Sequence, residues 1–291
     1  VNGGLAVARY TLLELSRRRI LLVFFIIGAL GIVAVGVGLK LIYTVSSGHG
    51  SFGGPNVDPA VFNHFLEILF VSYVFEALAV FALLVAYGIG MTTIYHDLDS
   101  GAAVSIFSKP VSRLAYTAGK ISAAVAALVV IVGVLAIEAR LVMFLFGGGL
   151  ENALTSEVVY SVANTLVVML IVLALSTWMN NIVAAIVTFV YYNVIAGVLV
   201  YVYDLANSGV IGNGFLKTVF EMTYWLVPHP LVSSAVGDLV KAGSALSTRP
   251  GAGSAVAGIP SASGTGDLVW WAFMVVLFSG LVYYSVRRRQ V

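Results

Sequence analysis

The sequence predicts an all-α, polytopic membrane protein with six transmembrane helices, an N-terminal interfacial helix before them and a further short helix in a cytoplasmic loop. Three observations predict it. Of 291 residues, 60% are hydrophobic and only 10% charged, and the mean hydropathy is +1.03, whereas a soluble domain is typically about 25% charged. Apolar runs of about 20 residues or more, long enough to cross a bilayer as helix, recur six times along the chain. The basic residues gather at the ends of those runs, where they set topology. A formal charge of +2 is too small for a nucleic-acid-binding chain. Without cysteine there is no disulfide, thiolate metal site or iron–sulfur cluster.

Leu5 to Arg19 is moderately amphipathic, with Leu5, Ala8, Leu12 and Leu15 on one helical face and Arg9 and Ser16 on another. Glu14 reaches Arg17 or Arg18 at the spacing of one turn. The expected element is an interfacial helix over 5–19, its arginines near anionic headgroups; the alternative is the start of span one itself. Span one, Ile20 to Ile42, follows a basic cluster as a secretory signal would, but it is long enough to cross and reads as a retained anchor. Its Gly28, Gly31, Gly36 and Gly38 let neighbouring helices approach closely. Tyr43 to Asn63, with GHGSFGGP and two prolines, is expected to be an irregular outer loop. His49 and His64, in or beside it, have no further ligand at a metal-binding spacing and read as ordinary exposed histidines.

Span two runs from about Phe65 to Ile94 and span three from about Ala118 to Phe146, ended by Gly147, Gly148 and Gly149. Span four, Val158 to Trp178, and span five, Ile182 to Tyr203, are separated only by Met179, Asn180 and Asn181, a tight helical hairpin. From Asp204 to Asp267 the chain is divided by Lys217, Glu221, Pro228 and Pro230 and holds no run long enough to cross, so residues 204–267 are placed outside. Within them Phe215 to Leu226 has helical apolar spacing, and Ala242 to Gly266 is a Gly-, Ser- and Ala-rich linker. The last span, Leu268 to Val286, ends in Arg287, Arg288 and Arg289. Residues 1–291 thus read as one transmembrane domain.

Charge tests the count. With six spans, Arg17 to Arg19, then Lys109, Arg113 and Lys120, then Arg287 to Arg289 all fall on one side, as the positive-inside rule requires. Both termini are therefore expected in the cytoplasm of a cell-membrane protein. No internal repeat marks an inverted-repeat transporter.

Between spans two and three lies the stretch least suited to lipid, Tyr95 to Lys120, YHDLDSGAAVSIFSKPVSRLAYTAGK. Its loop portion, residues 95–118, precedes the third span. Ser100 to Phe107 is long enough for a short helix across the membrane surface, Pro110 prevents its continuation, and Ser112 is the expected N-cap of the next helix. No G-x-x-x-x-G-K-[ST], H-E-x-x-H or G-x-S-x-G occurs, so the chain is expected to be no enzyme and to hydrolyse no ATP itself. Charges inside spans are expensive in lipid and face protein or water. Glu76 in span two and Glu138 and Arg140 in span three are therefore candidates for a pathway or outer gate. Glu138 and Arg140, two residues apart, do not face each other on one helix; a pair between Glu76 and Arg140 across helices, gating or merely clamping, is the expectation.

The D-L-D-S-G of Asp97 to Gly101, the S-K-P-V-S-R of Ser108 to Arg113, and Gly119 and Lys120 after them resemble the first cytoplasmic loop of the permease subunits of ABC-2 type transporters. In that family an acidic residue, a glycine, a short apolar helix, a Pro-x-x-Arg-like turn and a Gly-Lys entering span three follow one another. Asp97 stands where glutamate is more usual, and Ala102 where threonine is common. The six spans, the interfacial helix and the long segment before span six extend the likeness over nearly the whole chain. The resemblance implies a coupling helix docked on a separate ABC ATPase subunit, with Asp97, Asp99, Gly101, Ala103, Ile106, Phe107, Lys109, Pro110 and Arg113 at the contact. It implies ATP and Mg in that partner and no cofactor in this chain. It also implies a second permease copy or a related permease beside this one, among membrane lipids, the whole acting as an ATP-driven exporter. Two readings of other classes stay open on the residues: a non-transporting membrane anchor or scaffold for a soluble partner, and a proton-coupled secondary transporter using Glu76 and Glu138.

Overall fold

The computed structural model describes residues 2–48, 59–99, 101, 111–146, 151–207, 214–233 and 262–288. In an apolar solvent every backbone N–H and C=O must be paired within the segment, so long apolar runs become helices. They are α1 (Asn2–Ser16), α2 (Arg19–Gly48), α3 (Pro59–Thr93), α4 (Tyr95–Asp99), α5 (Arg113–Phe146), α6 (Glu151–Ser176) and α7 (Asn181–Phe189), then a π-helical segment (Val190–Ala196), α8 (Gly197–Asn207), α9 (Gly214–Leu226) and α10 (Thr265–Arg288). Among the described residues there is no strand. Six helices among the described residues are long and apolar enough to cross a membrane: α2, α3, α5, α6, α10 and the continuous α7–π–α8 rod. Their outer faces carry exposed Leu30, Val130, Phe144 and Val276, a surface suited to acyl chains and hostile to water. This is the architecture of a multi-pass membrane protein.

α3 and α6 form the centre. Of their apolar windows 56% is buried, against 22% for α2 and α10. α3 packs on α2, α5 and α6, and α10 lies against α6 and α5. At Gly90 of α3 an added Cβ would stand 2.8 Å from Val172 Cβ and 3.0 Å from the Met169 carbonyl oxygen. The missing side chain lets the α3 and α6 backbones approach, and dispersion at short range replaces the hydrophobic driving force that lipid does not supply.

Local chemistry sets the ends of the elements, and several differ from expectation. α2 continues through Tyr43 to Gly48, where an irregular loop was expected. α3 begins at Pro59, which sits in the first helical turn, where its missing N–H has no intrahelical partner to lose. Of the expected Tyr43 to Asn63 loop, 49–58 lie outside the described residues. α5 begins at Arg113 rather than near Ala118, because Ser112 does cap it: the Ala115 N–H donates to Ser112 Oγ at 3.1 Å. Asn180 caps α7 in the same way, accepting from the Ile182 N–H at 2.9 Å, and closes the tight α6–α7 hairpin. Phe215 to Leu226 falls within α9 as read. Gly147 to Gly149 and residues 234–261, which take in the expected linker from Ala242 to residue 261, lie outside the described residues.

α1 is a helix, but it buries another face than periodicity suggested. Val7, Thr11 and Leu15 are buried, while Leu5 is 73% and Leu12 38% exposed. The reason is on α5, where a Cβ added to Gly119 would come 2.6 Å from the Gly4 carbonyl oxygen and 3.0 Å from Val7 Cβ. Only a bare backbone admits α1 that closely, and it admits the Val7 side. α1, α4, the start of α5 and the end of α10 thereby share one end of the bundle. There Arg113 Nη1 donates to the Arg287 carbonyl, and Trp178 Nε1 donates to Ser285 Oγ at 2.9 Å.

Candidate functional site

At that end Lys120 is fully buried about two turns into α5, a costly position for a lone ammonium. Its Nζ lies 2.8 Å from Asp97 Oδ2 on α4 and 3.3 Å from Glu14 Oε2 on α1. Tyr116 OH donates to Asp97 Oδ2 at 2.8 Å, and Arg18 Nη2 donates to Glu14 Oε1. The Tyr10 and Tyr116 rings stand 5.9 and 6.0 Å from the ammonium, at the outer limit of cation–π attraction. One cation so joins three elements, α1, α4 and α5. Burial by itself raises the Glu14 carboxyl, but the hydrogen bond from Arg18 and the charges of Lys120 and Arg18 outweigh it and hold the group below its ordinary range. Beside the network, between α1 and α4, a recess of about 470 Å³ is lined by Tyr10, Leu13, Glu14, Arg17, Arg18, His96 and Asp97.

The residues expected at a partner contact therefore divide. Asp97 is not on the surface: its side chain is 3% exposed and holds Lys120 from behind the loop. Asp99 is exposed at the end of α4. Gly101 has φ of +72°, the left-handed conformation that glycine adopts without steric cost, and turns the chain after α4. Arg113 is bound to the end of α10, as above. Ala103, Ile106, Phe107, Lys109 and Pro110 lie outside the described residues, and so does most of the expected Ser100 to Phe107 helix.

Glu76, Glu138 and Arg140 are not brought together. Glu76 and Arg140 are exposed on α3 and α5, Glu138 is half-buried, and among the described residues no ion pair joins Glu76 to Arg140. No group of three or more His, Asp or Glu side chains converges for a metal among the described residues either.

Sequence reasoning missed the polar construction at the opposite end. Tyr224 on α9 stacks on Tyr203 at 3.9 Å and on His229 at 3.8 Å between ring centroids, and its hydroxyl donates to Asp267 Oδ1 at 2.9 Å. His229 Nδ1 faces the carbonyls of Tyr224 and Val227, both at 3.1 Å, so that nitrogen carries the proton. Its Nε2 is 3.5 Å from Asp267 Oδ1. Burial pushes the His229 pKa down, outweighing the opposing pull of the Val227 carbonyl and Asp267. Below this cluster Asn164 of α6 grips the chain after α9 like a base pair: its Nδ2 donates to the Leu231 carbonyl at 2.9 Å and its Oδ1 accepts from the Leu231 N–H at 2.7 Å. The signal was present at and just before the start of span four, where Glu157, Ser161, Asn164 and Thr165 recur at i, i+4, i+7 and i+8, a polar stripe along one face of α6. No family model matches the chain and no curated protein matches it.

Proposed function

We propose that this chain is the transmembrane permease subunit of an ATP-driven exporter of the ABC-2 type. In this reading the charged end is cytoplasmic, α1 lies along the inner leaflet of the cell membrane, and the chain pairs with a second permease and with ABC ATPase subunits. The observation that carries it is the Lys120–Asp97–Glu14 network. Asp97 and Lys120 stand at the two ends of the loop that bears the family-like motif, and their ion pair clamps those ends together. A push on the loop is then delivered to α3 and α5 at once, because buried, hydrogen-bonded charges yield far less than solvated ones. Glu14 and Arg18 extend the clamp to α1, so the recess between α1 and α4 adds a basic rim to the docking surface. The apolar Ala103, Ile106 and Phe107 supply the contact itself and Asp99, Lys109 and Arg113 its orientation. ATP and Mg belong to the partner.

The test is co-expression with candidate ATPase subunits and reconstitution. Phe107→Asp is expected to abolish ATPase-dependent transport and copurification of the ATPase while membrane insertion is unchanged. Full ATPase association in that variant, or transport driven by a proton gradient without ATP, refutes the reading.

A further inference from the structure

We propose that the cavity between α3, α6 and the π-helical segment is a binding site for a small organic ammonium ion. The cavity has a volume of about 160 Å³. That is room for about five waters at their share of liquid volume, and below the roughly 300 Å³ at which drug-sized sites begin. The polar stripe of α6 forms one wall, Tyr192 and Asn193 of the π-helical segment another, and Ala79 and Leu83 of α3 a third. π-bulges inside long helices recur at functional sites.

Its electrostatics are lopsided. Glu157 brings a carboxyl group into the cavity, and among the described residues no Lys, Arg or His lines it. That group accepts a hydrogen bond from Ser233, yet its Oε2 is buried without any partner, and so is Ser161 Oγ one turn further along. Ser161 is 4% exposed. Two buried, unpartnered oxygens on one helix face, one of them a carboxyl oxygen, are costly unless a partner is supplied. The neighbouring groups do not: Thr165 Oγ1 donates to the Ser161 carbonyl at 2.7 Å, and Tyr192 OH donates to Asn164 Oδ1 at 3.3 Å. Asn193 Nδ2 is engaged with Tyr87 OH at 2.9 Å.

A donor carrying positive charge suits a carboxyl oxygen and a hydroxyl oxygen together. A divalent metal takes about six or more oxygen ligands, and Thr165, Asn164 and Asn193 are already engaged with other groups. A primary ammonium has N–H groups to direct at both Glu157 Oε2 and Ser161 Oγ, and a small organic substituent meets Ala79 and Leu83. The inference does not rest on the transporter reading, because the site lies away from the loop end and is defined by its own cavity.

The experiment uses the purified full chain in detergent near pH 7, titrated with methylammonium chloride and, at matched ionic strength, with sodium chloride and tetramethylammonium chloride. The expected result is a saturable rise in Tm with methylammonium alone, and saturable binding heat by calorimetry. Glu157→Gln is expected to weaken that binding about tenfold or more, the worth of a hydrogen bond to a charged group. Ala79→Leu, which fills the cavity and leaves both oxygens in place, is expected to abolish it. No saturable effect in the unmodified chain, an equal effect of sodium, or binding retained in Ala79→Leu overturns the proposal. If Glu157→Gln does not yield monodisperse protein, Ser161→Ala and Ala79→Leu decide it by the same readout.

Discussion

The two ends of the bundle solve the problem of polar groups beside lipid in opposite ways. The loop end does it with net charges: Lys120, Asp97, Glu14 and Arg18 are neutralised against one another across α1, α4 and α5. The other end does it chiefly with neutral partners, stacked rings of Tyr203, Tyr224 and His229 and the amide of Asn164, around the carboxylate of Asp267. Buried ion pairs are geometrically demanding and fail badly when one member is lost. Stacked rings and amide pairs tolerate small displacements. The contrast places a stiff joint where helices α3 and α5 leave the bilayer for the loop and a more forgiving lid over α6.

Lys120→Met breaks that contrast most strongly. It strands Asp97 and Glu14 without their cation, and a loss of about 3–5 kcal/mol is expected, read as a fall in Tm of the purified protein. Adding Asp97→Asn is expected to restore part of the loss; no recovery means that the pair is not the origin. Next comes Gly119→Val, which drives a branched side chain into the Gly4 carbonyl and Val7 and is expected to cost about 1–3 kcal/mol by overpacking. Limited proteolysis after Arg9 and Arg17 reads the detachment of α1 directly.

Acid separates the ends further. The Glu14 carboxyl is depressed, so its contribution is complete above the ordinary carboxylate value of 4.5 and is lost as pH falls through the lower folded value. His229 is depressed as well, but it is a base. Below its ordinary 6.5 the unfolded chain takes up a proton that the folded chain refuses, so stability begins to fall there. His229→Gln is expected to flatten the Tm profile between about pH 6.5 and 5, and Glu14→Gln only its more acid limb. The smallest effect is expected from Lys217→Ala, which removes the exposed Lys217–Glu221 pair on α9 at 3.7 Å, worth at most about 0.5 kcal/mol. A larger change in Tm there gives the opposite end an ionic character after all.

The spans were legible in the sequence because hydropathy and helix caps are local: Ser112 and Asn180 declare the helices they begin. Pro59 was misread with the loop before it, since a proline marks a turn and a helix start alike. The loop motif was legible as chemistry but not as geometry. Asp97 and Lys120 stand 23 positions apart, and nothing in their spacing shows that the two charges meet until α4 and α1 are seen packed against the first turns of α5. In α1 apolar residues lie on more than one face, so the spacing of leucines did not choose between them; Gly119 on another helix did. The carboxylates and amides of α6 escaped attention because a lone polar residue in a span means little until its neighbours one turn away are read with it.

The π-helical segment in the fifth crossing has a consequence of its own. An α-helix advances about 100° per residue, and a π turn accommodates one residue more than an α turn. Val190–Ala196 therefore introduces a phase slip: α8 is rotated by about a quarter turn or slightly more from the heading that α7 set. Ile182, Ile186 and Phe189 of α7 are exposed, while Ala196, Leu199 and Val200 after the slip are buried. Deleting one residue in the segment restores regular winding and turns α8 out of step with the bundle, although composition and hydropathy hardly change. In this crossing the number of residues is itself structural information, a reading frame kept by the helix rather than by the code.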